Sequence, residues 1–169
     1  FEAPDATAEV IDAEGWFRTG DLGIIDEKGL LRITGRAKSM IVFTNGKKAF
    51  PEEYEVLLNN TPGVKDSFAW GNKAADGDIQ VCAKLVIDWE SLTADSVGDG
   101  SAKGTDSSEG AGMLSERELA SYFGAAIKEI NKTLPQYKII RYFVMTNEDL
   151  VKTTKMTIKR PVEYEKIIK

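Results

Sequence analysis

Between residues 35 and 46 the chain changes what it can fold into. Gly35-Arg36-Ala37-Lys38-Ser39-Met40-Ile41-Val42-Phe43-Thr44-Asn45-Gly46 ends a strand at Gly-Arg and turns through Ala-Lys-Ser. A new apolar strand then runs into Asn-Gly, which reads as a tight hairpin turn because both residues tolerate positive φ. A joint flanked by an Arg and a Lys is either plain connectivity or a hinge beside an anionic ligand. The residues on each side of it decide between the two.

Upstream, residues 1–36 read as short β-structure. Asp12-Ala13-Glu14-Gly15 is a turn, Trp16-Phe17-Arg18 a brief strand stopping at Thr19-Gly20-Asp21, and 22–25 with 30–34 a hairpin across Asp26-Glu27-Lys28-Gly29. Such a piece is too small to be stable alone, so it packs on the downstream residues or on a partner. The chain starts mid-pattern at Phe1-Glu2-Ala3-Pro4, the expectation for a fragment of something longer.

Downstream, 39–44 and 47–50 form a second hairpin. Pro51 opens a helix, and Glu52, Glu53 and Glu55 suit the positive end of its dipole. Tyr54, Leu57 and Leu58 give it an apolar face, and Pro62-Gly63 ends it. Residues 64–70 and 79–87 are strands; Ile79, Val81, Ala83, Leu85 and Ile87 alternate as in a half-buried sheet. Residues 90–114 hold five Gly and five Ser with no aromatic side chain, too little apolar surface to fold alone, and read as a flexible excursion. Ser115-Glu116-Arg117-Glu118 is a capping box. The helix behind it lines Leu119, Tyr122, Phe123, Ala126, Ile127 and Ile130 on one face until Pro135. A strand over 139–144, a polar Thr- and Lys-rich loop over 146–159 and a terminal helix from Pro161 complete an α+β order.

Charge and composition remove several functions. With 22 basic against 27 acidic side chains the chain lacks the basic excess of a general nucleic-acid binder. It contains no His, which excludes Ser-His and Cys-His triads and most zinc sites, and no metal site of its own is expected. The lone Cys82 lies in an apolar run and reads as a core thiol, which suits a cytoplasmic setting. No apolar stretch approaches the roughly 20 residues of a membrane span.

Two segments resemble the adenylate-forming enzymes, the family of acyl-CoA synthetases, peptide-synthetase adenylation domains and firefly luciferase. Gly15-Trp16-Phe17-Arg18-Thr19-Gly20-Asp21-Leu22-Gly23 is similar to the family's G-[WY]-[FY]-x-T-G-D-L motif. Gly35-Arg36-Ala37-Lys38-Ser39, with Asn45-Gly46 and Pro51-Glu52-Glu53, is similar to its G-R-x-[DK]-x … G … P-x-E segment. The Thr-Asn-Gly version is most like long-chain fatty acyl-CoA synthetases. The resemblance implies the end of a large N-terminal domain over 1–36. It implies a small, mobile, mixed α/β C-terminal domain over 37–169, interrupted by the excursion at 90–114.

It also implies roles. Asp21 would hold the ribose hydroxyls, to which two carboxylate oxygens are suited; the other reading is a turn residue capping its own backbone. Arg36 would hold ribose or phosphate with its planar fork, or form a surface ion pair. Lys38 falls at the hinge position, where backbone dihedrals absorb the swing between adenylation and thioester formation, or it is an ordinary surface lysine. Thr44, Asn45 and Gly46 would line the pantetheine passage, or make a plain hairpin turn.

One departure stands out. The family has P-K-T-x-x-G-K-[IV], whose second Lys bridges the acyl carboxylate and the α-phosphate. Here Val151-Lys152-Thr153-Thr154-Lys155-Met156-Thr157-Ile158 puts Thr157 at that lysine and Met156 at the preceding Gly. A neutral hydroxyl cannot supply the charge that stabilises a pentavalent phosphate. In an extended loop Lys155 and Lys159 share the side of position 157, and Lys155 is the preferred substitute, Lys159 the alternative. Otherwise these lysines are merely solvated and adenylation is impaired.

The function implied is part of an AMP-forming acyl-CoA synthetase. Carboxylate, in the long-chain reading a fatty acid, reacts with ATP and Mg²⁺ to give acyl-adenylate, and coenzyme A then takes the acyl group. The isolated chain is expected to be inactive in pyrophosphate exchange, because the phosphate-binding loop and acyl pocket belong to the N-terminal domain. The rivals are a ligase that loads a carrier protein and a catalytically silent docking module. No transmembrane segment is expected, and peripheral membrane contact of the parent stays open.

Overall fold

The structure, a computed structural model, describes residues 3–92 and 115–168. The proposed excursion at 90–114 falls almost wholly outside the described residues.

A β-sheet with helices on both faces organises the chain from the pivot onward. Strands β5 (Val64–Lys73) and β6 (Ile79–Ile87) pair antiparallel, and β7 (Ile140–Thr146) joins β6 in parallel. A parallel partner requires a long crossover, supplied here by the 18-residue helix α3 (Glu116–Thr133). Its capping box is present: the Ser115 hydroxyl accepts from the Glu118 N–H, and the Glu118 carboxylate accepts from the Ser115 N–H at 2.8 Å. Helix α2 (Pro51–Asn59) starts with Pro51 at its first turn. With α3 it covers one sheet face, where Tyr54, Leu58, Leu85 and Phe123 are fully buried.

The other face differs from the expected half-buried pattern, since β6 is buried on both sides. Cys82 and Val86 alternate with Ala83 and Leu85, and pack with Phe68, Trp70 and Leu150 beneath helix α4 (Arg160–Ile168). Cys82 is a buried free thiol, pushed up from its ordinary pKa by that burial. Lys84, the charged residue of this face, is compensated by Glu163 at 3.0 Å.

Before the sheet lie the hairpin β1 (Asp21–Ile25) with β2 (Leu31–Arg36) and the two-residue pair β3 (Ile41–Val42) with β4 (Lys48–Ala49). Two expectations for residues 1–36 are corrected. The segment opens with a helix, α1 (Pro4–Val10), where Pro4 sits at the first turn and Asp5 faces its dipole. Trp16-Phe17-Arg18 forms no strand, only a single bridge from Phe17 to Ile11. Asp12 Oδ1 accepts from the Glu14 and Trp16 N–H groups, and Gly15 takes φ +87°, closing the turn at once. No described helix is long and apolar enough to cross a membrane.

Candidate functional site

Asp21 and Arg36 face each other across β1 and β2, so the two segments that carry the resemblance meet at one point. Arg36 Nη1 donates to Asp21 Oδ1 at 2.6 Å and also lies 3.4 Å from the Thr19 carbonyl. The Asp21 hydrogen bond and charge raise the Arg36 guanidinium further. Thr19 Oγ1 accepts from the Asp21 N–H, so the turn is closed by Thr19 and the Asp21 carboxylate is directed at Arg36. Both side chains reach solvent, so the pair itself is worth little stability. It fixes where one carboxylate and one guanidinium are presented.

Residues Ala37–Ser39 form a single 3-10 turn between β2 and β3. On one side, Lys38 lines an apolar groove with Met40, Val42, Phe68, Trp70 and Tyr164. On the other, Arg36 lines a second cleft bordered by many charged side chains; Ser39 lines both.

The Thr44-Asn45-Gly46 loop is not the two-residue turn expected from Asn-Gly. Only Gly46 has positive φ, +77°, and Phe43 N–H bonds Lys47 C=O at 2.9 Å across three loop residues. Asn45 Oδ1 accepts from the Lys47 N–H, and Thr44 Oγ1 bonds Asp78 Oδ1. An asparagine that can brace the turn with its side chain does not have to enter the left-handed region.

The 151–160 segment also departs from expectation, being a closed hairpin instead of an extended loop. Lys152 and Ile158 form an antiparallel bridge, and Thr153 N–H bonds Thr157 C=O at 2.8 Å. The Thr153 and Thr157 hydroxyls lie 2.6 Å apart. Met156 takes φ +60°, the one positive-φ non-glycine among the described residues. A left-handed conformation costs an L-residue about 1–2 kcal/mol, so Met156 stands where the backbone favours glycine, the residue that the gapless comparison sets at this position. Lys155 therefore sits at the hairpin tip. Only Lys159 keeps the two-residue spacing along the Thr157 strand.

This second cleft, about 1010 Å³, is lined by Arg36 together with Lys155, Thr157 and Lys159. Segments over a hundred residues apart in sequence thus converge.

Sequence reasoning misses the residues that build this cleft's floor. Arg160 donates to Glu55 Oε2 at 2.7 Å, to Glu52 Oε1 at 3.2 Å and to the Ala69 carbonyl at 3.3 Å. Burial raises the Glu55 carboxyl, and Arg160 with the Ala69 N–H opposes without cancelling it. The available signal is a lone Arg directly behind the lysine run. In the sequence, the helix dipole alone suffices to explain Glu52 and Glu55. No cluster of three or more acidic, His or Cys side chains suited to a metal occurs among the described residues.

No family model matches the chain. The long-chain-fatty-acid–CoA ligase FadD15 of Mycobacterium tuberculosis is 31% identical over 166 residues, covering 95% of this chain and 26% of its own length. The ATP-bound structure of MatB from Rhodopseudomonas palustris superposes with TM-score 0.66 at 25% identity, over 98% of this chain and 27% of that one. The chain is a homologue of the adenylate-forming ligases. Its mixed α/β architecture is that of the C-terminal domain of these ligases, and it spans about a quarter of the length of FadD15 (26%) and of MatB (27%). The adenylate-forming relatives are not all fatty-acid enzymes. The nonribosomal peptide synthetase apvA of Aspergillus terreus is 44% identical over 69 residues, 41% of this chain and 7% of its own length.

Proposed function

We propose that this chain carries the end of the fixed N-terminal body, over 1–36, and the moving part, over 37–169, of an AMP-forming acyl-CoA ligase acting on long-chain fatty acids. The carrying observation is the cleft that brings Arg36 together with Lys155, Thr157 and Lys159. Asp21 and Arg36 hold the nucleotide on the fixed side. Their exposed, oppositely charged groups fit ribose hydroxyls and phosphate oxygens respectively. The 37–39 turn at Lys38 is the hinge, its single 3-10 turn being short enough to change dihedrals without unravelling a longer element.

Thr157 cannot provide positive charge, and its hydroxyl is already engaged with Thr153. Lys155, at the exposed hairpin tip, supplies the charge at the α-phosphate, with Lys159 as the alternative. Mg²⁺ arrives with the ATP phosphates, and coenzyme A reaches the acyl-adenylate past Thr44, Asn45 and Gly46 in the second arrangement. The N-terminal body supplies the phosphate loop and the acyl pocket.

The test is pyrophosphate exchange by the full-length ligase carrying Lys155→Ala or Lys159→Ala. A loss of about 100-fold in the first and a small effect in the second is expected. Unchanged exchange in both variants overturns the assignment and favours a silent docking module. The local identity to apvA favours a second reading in which a carrier protein accepts the acyl group. Competition between free coenzyme A and a carrier for the acyl-adenylate separates the acceptors.

A further inference from the structure

The hairpin that bears Lys155 and Lys159 is exposed along most of its length, so something beneath it must hold it in place. Its first strand begins at Val151, whose N–H donates to Glu163 Oε1 at 2.8 Å and whose carbonyl accepts from the Lys159 N–H at 2.8 Å. Glu163 is fully buried on α4. Its other oxygen accepts from Lys84 Nζ at 3.0 Å, and Lys166 lies 3.3 Å from Oε1. Burial would raise this carboxyl, but the Val151 N–H, Lys84 and Lys166 together hold it below its ordinary range.

A Lys–Glu pair alone is a poor reason for two buried charges, because apolar replacements of similar size often stabilise as well. The second acceptor oxygen, aimed at the base of a functional hairpin, is what an apolar pair would not reproduce. We propose that Glu163 is a positioning residue: its carboxylate clamps Val151 and thereby fixes the lysine hairpin against the central strand. The clamp reaches Lys159 in two steps, from carboxylate to Val151 N–H and from Val151 C=O to the Lys159 backbone. It rests on the proposed adenylation role only for which reaction reports it.

Two double variants of the full-length ligase isolate the acceptor. Lys84→Met with Glu163→Gln removes both charges but keeps an amide oxygen for the Val151 N–H. Lys84→Met with Glu163→Leu removes the charges and the acceptor together. Hydrogen exchange of the Val151 and Lys159 amides is expected to be about tenfold faster in the Leu double than in the Gln double, with α3 amides equal in both. Acyl-adenylate formation is expected to fall about 10- to 100-fold in kcat in the Leu double, with KM for ATP nearly unchanged and the Gln double close to the parent.

Equal exchange in the two doubles overturns the proposal, as does acceleration that extends equally into α3. Local acceleration in a ligase whose unsubstituted form makes no acyl-adenylate upholds the clamp and overturns the adenylation reading instead.

Discussion

Residues 3–36 and residues 41–168 are built on opposite terms. The later region buries apolar side chains on both faces of a three-stranded sheet. The earlier region contains no buried residue, and leaves Trp16 at 71%, Ile25 at 69% and Leu31 at 65% exposure. A hairpin with that much bare apolar surface is unfinished in the thermodynamic sense, since burial of such side chains is worth about 1.5–3 kcal/mol each. The later region completes its own core; the earlier one is shaped to be completed by another surface. This contrast is what the proposed division into a fixed side and a moving side would require.

Substitutions probe the contrast in order of size. Phe123→Ala, which empties a fully buried site on α3, is expected to cost about 3–5 kcal/mol in urea denaturation of the chain. Leu31→Ala in the same experiment is expected to change less than about 0.5 kcal/mol; an equal cost would show that the hairpin is already packed. Gly35→Ala probes where the regions touch, because an added Cβ would sit 2.6 Å from the Phe50 ring. The ring would have to move, for an expected loss of about 1–3 kcal/mol in the same denaturation. Met156→Gly relieves the left-handed strain at the hairpin and is expected to stabilise by about 0.5–1 kcal/mol in thermal unfolding.

The smallest effect compares two buried carboxylates. Glu163, held below its ordinary range, contributes stability present above the unfolded pKa and lost as pH falls through its depressed folded value. Glu55 is raised, so its contribution is present below the unfolded pKa and lost as pH rises through the raised value. Across about pH 3–6, Glu163→Gln is expected to flatten the rise of stability with pH, and Glu55→Gln to steepen it. Denaturation midpoints at several pH values read both.

Much of this is legible in the chain. The Pro51 helix start, the Ser115 capping box and the strands around Ala69 and Ala83 follow from local chemistry and periodicity, and the structure has them. Period alone misses the second buried face of β6, because the residues between the apolar ones include Lys84, which reads as solvent-facing until Glu163 is seen beneath it. The Met156 turn is illegible for a similar reason: methionine carries no turn propensity, and the left-handed conformation is imposed by the bridge of Lys152 to Ile158. Asp21 and Arg36 are each readable as candidate site residues, but their 2.6 Å contact depends on a strand register that no motif states.

The central claim is that the hairpin brings positive charge to one half-reaction and withdraws it from the other. Its most direct test measures both half-reactions in the same full-length Lys155→Ala ligase. Acyl-adenylate formation is predicted to fall about 100-fold, while thioester formation from supplied acyl-adenylate and coenzyme A stays within about twofold of the parent. Parallel losses in both half-reactions, or no loss in either, would contradict the account.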